Sequence, residues 1–172
     1  MASNDSCPVC GFRWDDVTSP EVAPRIRAAY EGFVDILTNH QSNAVVRPSA
    51  ERWSILEYGS HLRDVYLAIR DRIILASIID EPTGTPIYRD ERVDLGFYRL
   101  DDPLLVAREL PLVGELLIRT FESLPPGFEQ RTMVYSILMN QTVTVLWAGA
   151  QAVHESEHHL SDIHHNLSLL TS

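Results

Sequence analysis

Four stretches of this chain, each about 18 to 28 residues long, repeat apolar side chains at spacings of three and four. That period is the signature of an α-helix with one buried face, and four such faces close most simply into a bundle. The first stretch opens at Ser19-Pro20-Glu21, with Ser19 expected as the cap and Pro20 at the first helical position. Its stripe of Val22, Ile26, Tyr30, Phe33 and Leu37 ends near Asn39. The second opens on the capping box Ser54-Ile55-Leu56-Glu57, with Trp53 and Tyr58 placed to staple around it. Tyr58, His61, Leu62, Val65, Ile69, Ile73 and Ala76 continue its buried face to about Ile79.

A connection broken by Pro82, Gly84, Pro86 and Gly96 leads to the third helix at Asp102-Pro103, which Pro111 should kink or divide. Pro125-Pro126-Gly127 is a firm stop. Arg131 to Leu138 alternates weakly, as a short extended segment or hairpin would. The fourth helix is expected from about Thr142 to Leu169, with Leu146, Ala150, Val153, Glu157, Leu160 and Leu167 inward and His154 and His158 along the edge. The chain is therefore expected to be all-α, an antiparallel four-helix bundle over residues 19–172 preceded by an irregular extension over residues 1–18.

Composition narrows the function classes. The 172 residues carry a net charge of −10, and all 14 basic side chains are arginine, so contact with phosphate backbones is disfavoured. No run approaches a membrane span, and Met1 to Ser6 lacks the basic start and apolar core of a secretory signal. A cytoplasmic protein is expected.

Chemistry concentrates in the histidines. His154 and His158 are four residues apart, so in a helix both imidazoles leave one face a turn apart. His61 lies on the buried stripe of another helix. Three imidazoles from two helices would hold a divalent transition metal and leave positions open for chemistry. The bland alternative is a polar helix edge and a core histidine with its bonds satisfied. His159, His164 and His165 crowd the same region, and some must be ordinary surface residues.

The run Trp53-Ser54-Ile55-Leu56-Glu57-Tyr58-Gly59-Ser60-His61, followed far downstream by His154-Glu155-Ser156-Glu157-His158-His159, resembles the DinB-like superfamily of bacterial four-helix proteins. The resemblance covers nearly everything after residue 20. It implies that His61, His154 and His158 ligate a metal, zinc or nickel foremost. It also implies an enzyme class: some relatives are transferases or isomerases that use a low-molecular-weight thiol such as bacillithiol or mycothiol. In such a reaction the open metal position favours the thiolate; with water in the same place it supports a hydrolase. The leading expectation is a thiol-dependent transferase acting on an unidentified small molecule. Its competitor is a non-catalytic, metal-stabilised protein that binds a ligand or partner. A DNA-associated stress protein is suggested only by the superfamily's name, and the charge opposes it. Pairing into a homodimer through an exposed helical face is compatible with the pattern.

Glu157 shares a face with His154 and is the candidate acid–base or orienting residue; Asp64, a turn after His61, can stand behind a ligand. Glu155 reads more simply as helix surface. Arg63 and Arg89 can receive an anion. The pair Cys7-Pro-Val-Cys10-Gly has the turn chemistry of a zinc knuckle. It can be half of a second zinc site completed by His40, His159, His164, His165 or Asp162, a reactive thiol pair, or an incidental one. A further alternative brings the thiols to the histidine centre, where they would close its open position.

Overall fold

The computed structural model describes residues 6–136 and 139–171. Its elements in chain order are α1 (Ser19–Asn39), α2 (Gln41–Ala44), α3 (Ile55–Ile78), α4 (Arg89–Asp94), α5 (Pro103–Glu122), the strands β1 (Thr132–Val134) and β2 (Thr142–Thr144), and α6 (Val145–Thr171). The four long helices form the bundle. Around it α1 packs on α5, α5 on α3, α3 on α6 and α6 on α1. The pair α1 and α3, consecutive long helices, therefore lies across a diagonal and touches little. None of the helices among the described residues is long and apolar enough to cross a membrane.

The start of α3 is fixed as its sequence predicts. The Glu57 N–H donates to Ser54 Oγ at 3.2 Å, and the Ser54 N–H donates back to the Glu57 carboxylate at 2.7 Å. Trp53 and Tyr58 pack with ring centroids 5.3 Å apart. Glu57 is fully buried and also accepts two bonds from Arg47. Burial opposes its charge, but the Arg47 bonds and the Ser54 N–H prevail and hold its pKa below the usual carboxylate range.

Four boundaries differ from expectation. The cap of α1 is Thr18, not Ser19: the Thr18 N–H donates to Glu21 at 2.8 Å, which moves Pro20 to the second helical position. Pro111 does not divide α5, which runs unbroken from Pro103 to Glu122. The short helix α4 lies in a connection read as loop. Its cap, Tyr88, sits in the left-handed region at φ 52°, which no residue type there announces. Finally, α6 starts at Val145, because Thr142–Thr144 pairs antiparallel with Thr132–Val134. The extended expectation for 131–138 holds over Thr132–Val134; its end at Leu138 lies outside the described residues.

The connection after α3 is strapped to this hairpin. The Gly84 N–H donates to Val134 O at 2.8 Å, and the Val134 N–H donates to Pro82 O at 2.9 Å. A Cβ at position 84 would fall 2.5 Å from Tyr135 O, so only glycine fits there.

Candidate metal centres

Helix α6 carries two main clusters of metal-ligating side chains, one residue apart in register, and a third group, His158, His159 and Asp162, that links them. A step of one residue turns about 100° around a helix. Positions 155 and 159 consequently face α3 and the bundle interior, while 154 and 158 face the N-terminal segment.

The inner cluster joins His61 of α3 to Glu155 and His159, with one donor atom from each lying within 4.8 Å of the others. His61 is 2% exposed and His159 8%. Both present Nε2 to a single carboxylate oxygen, Glu155 Oε2, at 3.4 and 3.1 Å respectively. Behind these donors stand residues that orient them. His159 Nδ1 lies 3.0 Å from Asp162, and the Gln151 amide donates to Glu155 Oε1 at 2.7 Å. Gln151 in turn accepts from Trp14 Nε1 at 2.6 Å. The Trp53 ring packs edge-on to His61, and Tyr58 packs against His159. Trp53 is itself pinned, since buried Asn166 donates to its carbonyl at 2.8 Å.

Charge in this cluster is distributed by burial and pairing. Burial disfavours the Glu155 carboxylate, yet its bonds to His159 and His61 prevail and keep its pKa well below the ordinary range. Burial likewise opposes charge on His159, but Asp162 and Glu155 raise its pKa to about 9. His61 is pushed down by burial, against the pull of Glu155. With no ion bound, a neutral His61 and a His159 imidazolium between two carboxylates give each proposed donor atom a protein partner, although His61 Nδ1 is buried without one.

Two histidines and one carboxylate suit a divalent transition metal, and three protein ligands leave coordination positions open. The residues present therefore fit such an ion. Two of the donors, His61 and Glu155, open into a cleft of about 480 Å³ also lined by Gln151, Tyr135, Arg72 and Arg89. Arg72 is unusual: only 5% exposed, its guanidinium lies 4.4 Å over the Tyr135 ring and donates to Thr85 O. Its Nε and Nη1 are buried and have no hydrogen-bond partner.

The outer cluster gathers Cys7, Cys10, His154 and His158, with donor atoms within 4.8 Å of one another. Both cysteines are free thiols. The cysteine turn closes through the Gly11 N–H, which donates to Cys7 O at 2.9 Å, with Gly11 at φ +74°. Burial opposes ionisation of Cys7, but the N–H groups of Cys10 and Val9 outweigh it and lower the thiol's pKa.

The three histidines expected to act together are thus distributed over both clusters. His61 meets Glu155 and His159, whereas His154 and His158 meet the cysteines. Glu155, read as surface, is at the centre of the inner cluster. Glu157 sits outside both and makes a bidentate pair with Arg25 at 2.7 Å. Asp64 does not stand behind His61; it holds Arg92 and Tyr98 and so anchors the segment around α4. Arg63 is occupied by Asp101 and Glu109, while Arg89 lines the cleft. The signal that finds Glu155 and His159 is the part of the buried surface of α6 marked by Ala148, Ala152, Ser156, His159, Ile163 and Asn166; Ala150 and Val153 are buried as expected. Apart from Ile163 it is made of small and polar residues, so the inward reading centred on Leu146, Leu160 and Leu167, which are partly buried and pack against the core beside it.

Comparison with known proteins agrees with this architecture. The family model described as the DinB superfamily matches residues 25–163. No functionally curated protein matches the sequence. YfiT from Bacillus subtilis, described as a probable metal-dependent hydrolase with an unusual four-helix bundle topology, is similar in structure. The likeness covers 91% of each chain at 16% identity, with a TM-score of 0.77. The mycothiol-dependent maleylpyruvate isomerase is similar over 87% of this chain and 62% of its own, at 13% identity and a TM-score of 0.70. At these identities the likeness is one of fold.

Proposed function

This chain belongs to the DinB superfamily, and from that premise we propose that it is a metal-dependent enzyme acting on a small anionic substrate, with a low-molecular-weight thiol as its co-substrate. The observation that carries this reading is the convergence of His61, Glu155 and His159, the first two of which line a cleft that also holds a buried arginine with unpartnered donors. A divalent transition metal held by those three side chains supplies Lewis acidity, lowering the proton affinity of a thiol or water and polarising an electrophile.

The chain's own residues do the rest. His61 and His159 offer Nε2 and Glu155 offers Oε2, while Asp162 and Gln151 fix the orientation of the last two. His159 must give up its proton to become a ligand, so loading the site releases acid. Arg72, poised over Tyr135 with Nε and Nη1 buried and unpartnered, puts a positive charge behind the cleft that attracts an anion, and exposed Arg89 at the rim adds a second. Trp53 and Tyr58 pack on the imidazoles and shield that side of the site from water. A cleft of about 480 Å³ falls in the range of small-molecule sites and has room for a thiol beside its acceptor.

Two structural relatives support the two forms of this chemistry: one is described as a probable metal-dependent hydrolase, the other as mycothiol-dependent. The deciding experiment loads the protein with zinc, nickel or manganese and assays it against paired thiols and anionic electrophiles, then against esters and amides. Thiol-dependent turnover that vanishes in Glu155→Gln and shows a raised KM in Arg72→Met is expected. Turnover that needs no thiol replaces the transferase reading with hydrolysis. Absence of metal from the inner donors overturns both.

A further inference from the structure

We propose that Cys7, Cys10, His154 and His158 form a second metal site, a tetrahedral zinc staple that fastens the N-terminal segment to α6. Four donors from two distant parts of the chain already lie within 4.8 Å of one another. With zinc–sulfur bonds near 2.3 Å and zinc–nitrogen bonds near 2.0 Å, a tetrahedral site places its donors roughly 3.3 to 3.8 Å apart. Cys7 Sγ and His158 Nδ1 stand at 4.0 Å, so a small adjustment closes the site.

The local construction is that of a ligand cage. Cys7 and Cys10 leave a turn whose reversal depends on Gly11 at positive φ, and the Cys7 N–H donates across it to Phe12 O at 2.7 Å. His154 is the more telling member. Both its ring nitrogens are buried and neither has a hydrogen-bond partner, although Phe12 and Trp14 wall the ring in at centroid distances of 5.0 and 4.8 Å. An imidazole enclosed with two unsatisfied nitrogens is costly unless something binds one of them. His158 turns Nδ1 toward Cys7 and Nε2 toward Asp162 at 3.7 Å, which leaves one nitrogen for the ion and one to be steered by a carboxylate. A redox dithiol requires neither histidine, and a Cys2His2 set with every position filled is a structural zinc site.

This site shares no ligand with the inner one, although Asp162 lies beside both His158 and His159, so its test disables the inner site by removing His61. The full-length His61→Ala variant, purified under reducing conditions, is analysed for metal content and by zinc X-ray absorption. The expected result is about one tightly held zinc per chain, with two sulfurs near 2.3 Å and two nitrogens near 2.0 Å. Cys7→Ser or His158→Ala should weaken zinc retention by more than about 100-fold, and His154→Cys should keep the metal while changing the shell to three sulfurs and one nitrogen. That swap preserves the test if the loss variants fail to fold. A folded, zinc-free protein, a Cys7–Cys10 disulfide in its place, or a zinc shell without sulfur would each overturn the proposal.

Discussion

The two faces of α6 solve the problem of burying imidazoles in opposite ways. On the inner face, His159 can keep its proton, because Glu155 and Asp162 lie 3.1 and 3.0 Å from its two nitrogens. Its proposed donor atoms keep protein partners without an ion, so the site can exchange one, although His61 Nδ1 is buried unpartnered. On the outer face His154 has no such partners, so the cluster is complete only when something coordinates it. The contrast teaches that three or four well-placed ligands do not make a reactive centre. What separates a working metal from a fastening one is whether the protein satisfies the donors in the metal's absence, and whether a cleft reaches them.

The largest test of this contrast is metal removal. Stripping the outer ion should cost several kcal/mol, read as a marked fall in Tm by calorimetry, because that binding energy is folding energy. Emptying the inner site should cost less, as the His159 imidazolium takes over. Next, Glu155→Gln should lower inner-site metal affinity by more than about 100-fold, whereas Glu157→Gln, which loses only a half-exposed pair with Arg25, should leave it within a factor of two or so. Equal effects of the two substitutions would dissolve the distinction between the faces.

Acid and base titration sharpens it further. In metal-free protein the pKa of His159 is raised to about 9, so its contribution to stability is complete below about 6.5 and is lost as pH rises toward 9. Glu155, held low, contributes above the ordinary carboxylate range and loses that contribution as pH falls below it. The unfolding free energy from denaturant titration should therefore fall by about 2 kcal/mol between pH 6.5 and 9 in the apo form, and far less once the inner metal replaces the proton. A smaller effect is expected for Asp162→Asn: about tenfold weaker metal binding at the inner site, where the carboxylate bonds His159, and less at the outer, where it stands 3.7 Å from His158. Smallest of all, Trp14→Phe removes the donor to Gln151 and should loosen the inner metal by less than about tenfold while leaving the outer zinc in place.

Much of the bundle was legible because its punctuation is local. Ser54 and Glu57 announce a helix start through bonds within one turn, and Pro125-Pro126-Gly127 forbids continuation whatever packs around it. The hairpin partner Thr142–Thr144 was hidden because pairing across a loop is decided by a strand elsewhere, not by the residues' own period. The site was half legible for a related reason. His61 stands out as a polar residue on an apolar stripe. On α6, however, both His154/His158 and Glu155/His159 have the i,i+4 spacing, and choosing between them requires the rotation of the helix about its axis. That rotation is set by Ala152, Ser156 and Ile163, and by the Tyr66 hydroxyl bonded to Ser156 at 2.7 Å; of these only Ile163 reads as a strong hydrophobic signal.

The crossing at Gly84 has a consequence for what enters the cleft. The strand hairpin and the segment bearing Ile87 to Arg89 meet there at bare backbone distance, and Arg72 lies directly beneath, its Nε 2.8 Å from where a Cβ would sit. Any side chain at that position acts as a wedge, levering the rim outward and tilting the guanidinium off its aromatic seat. The missing methyl group thus sets the width of the doorway, although it touches no ligand itself.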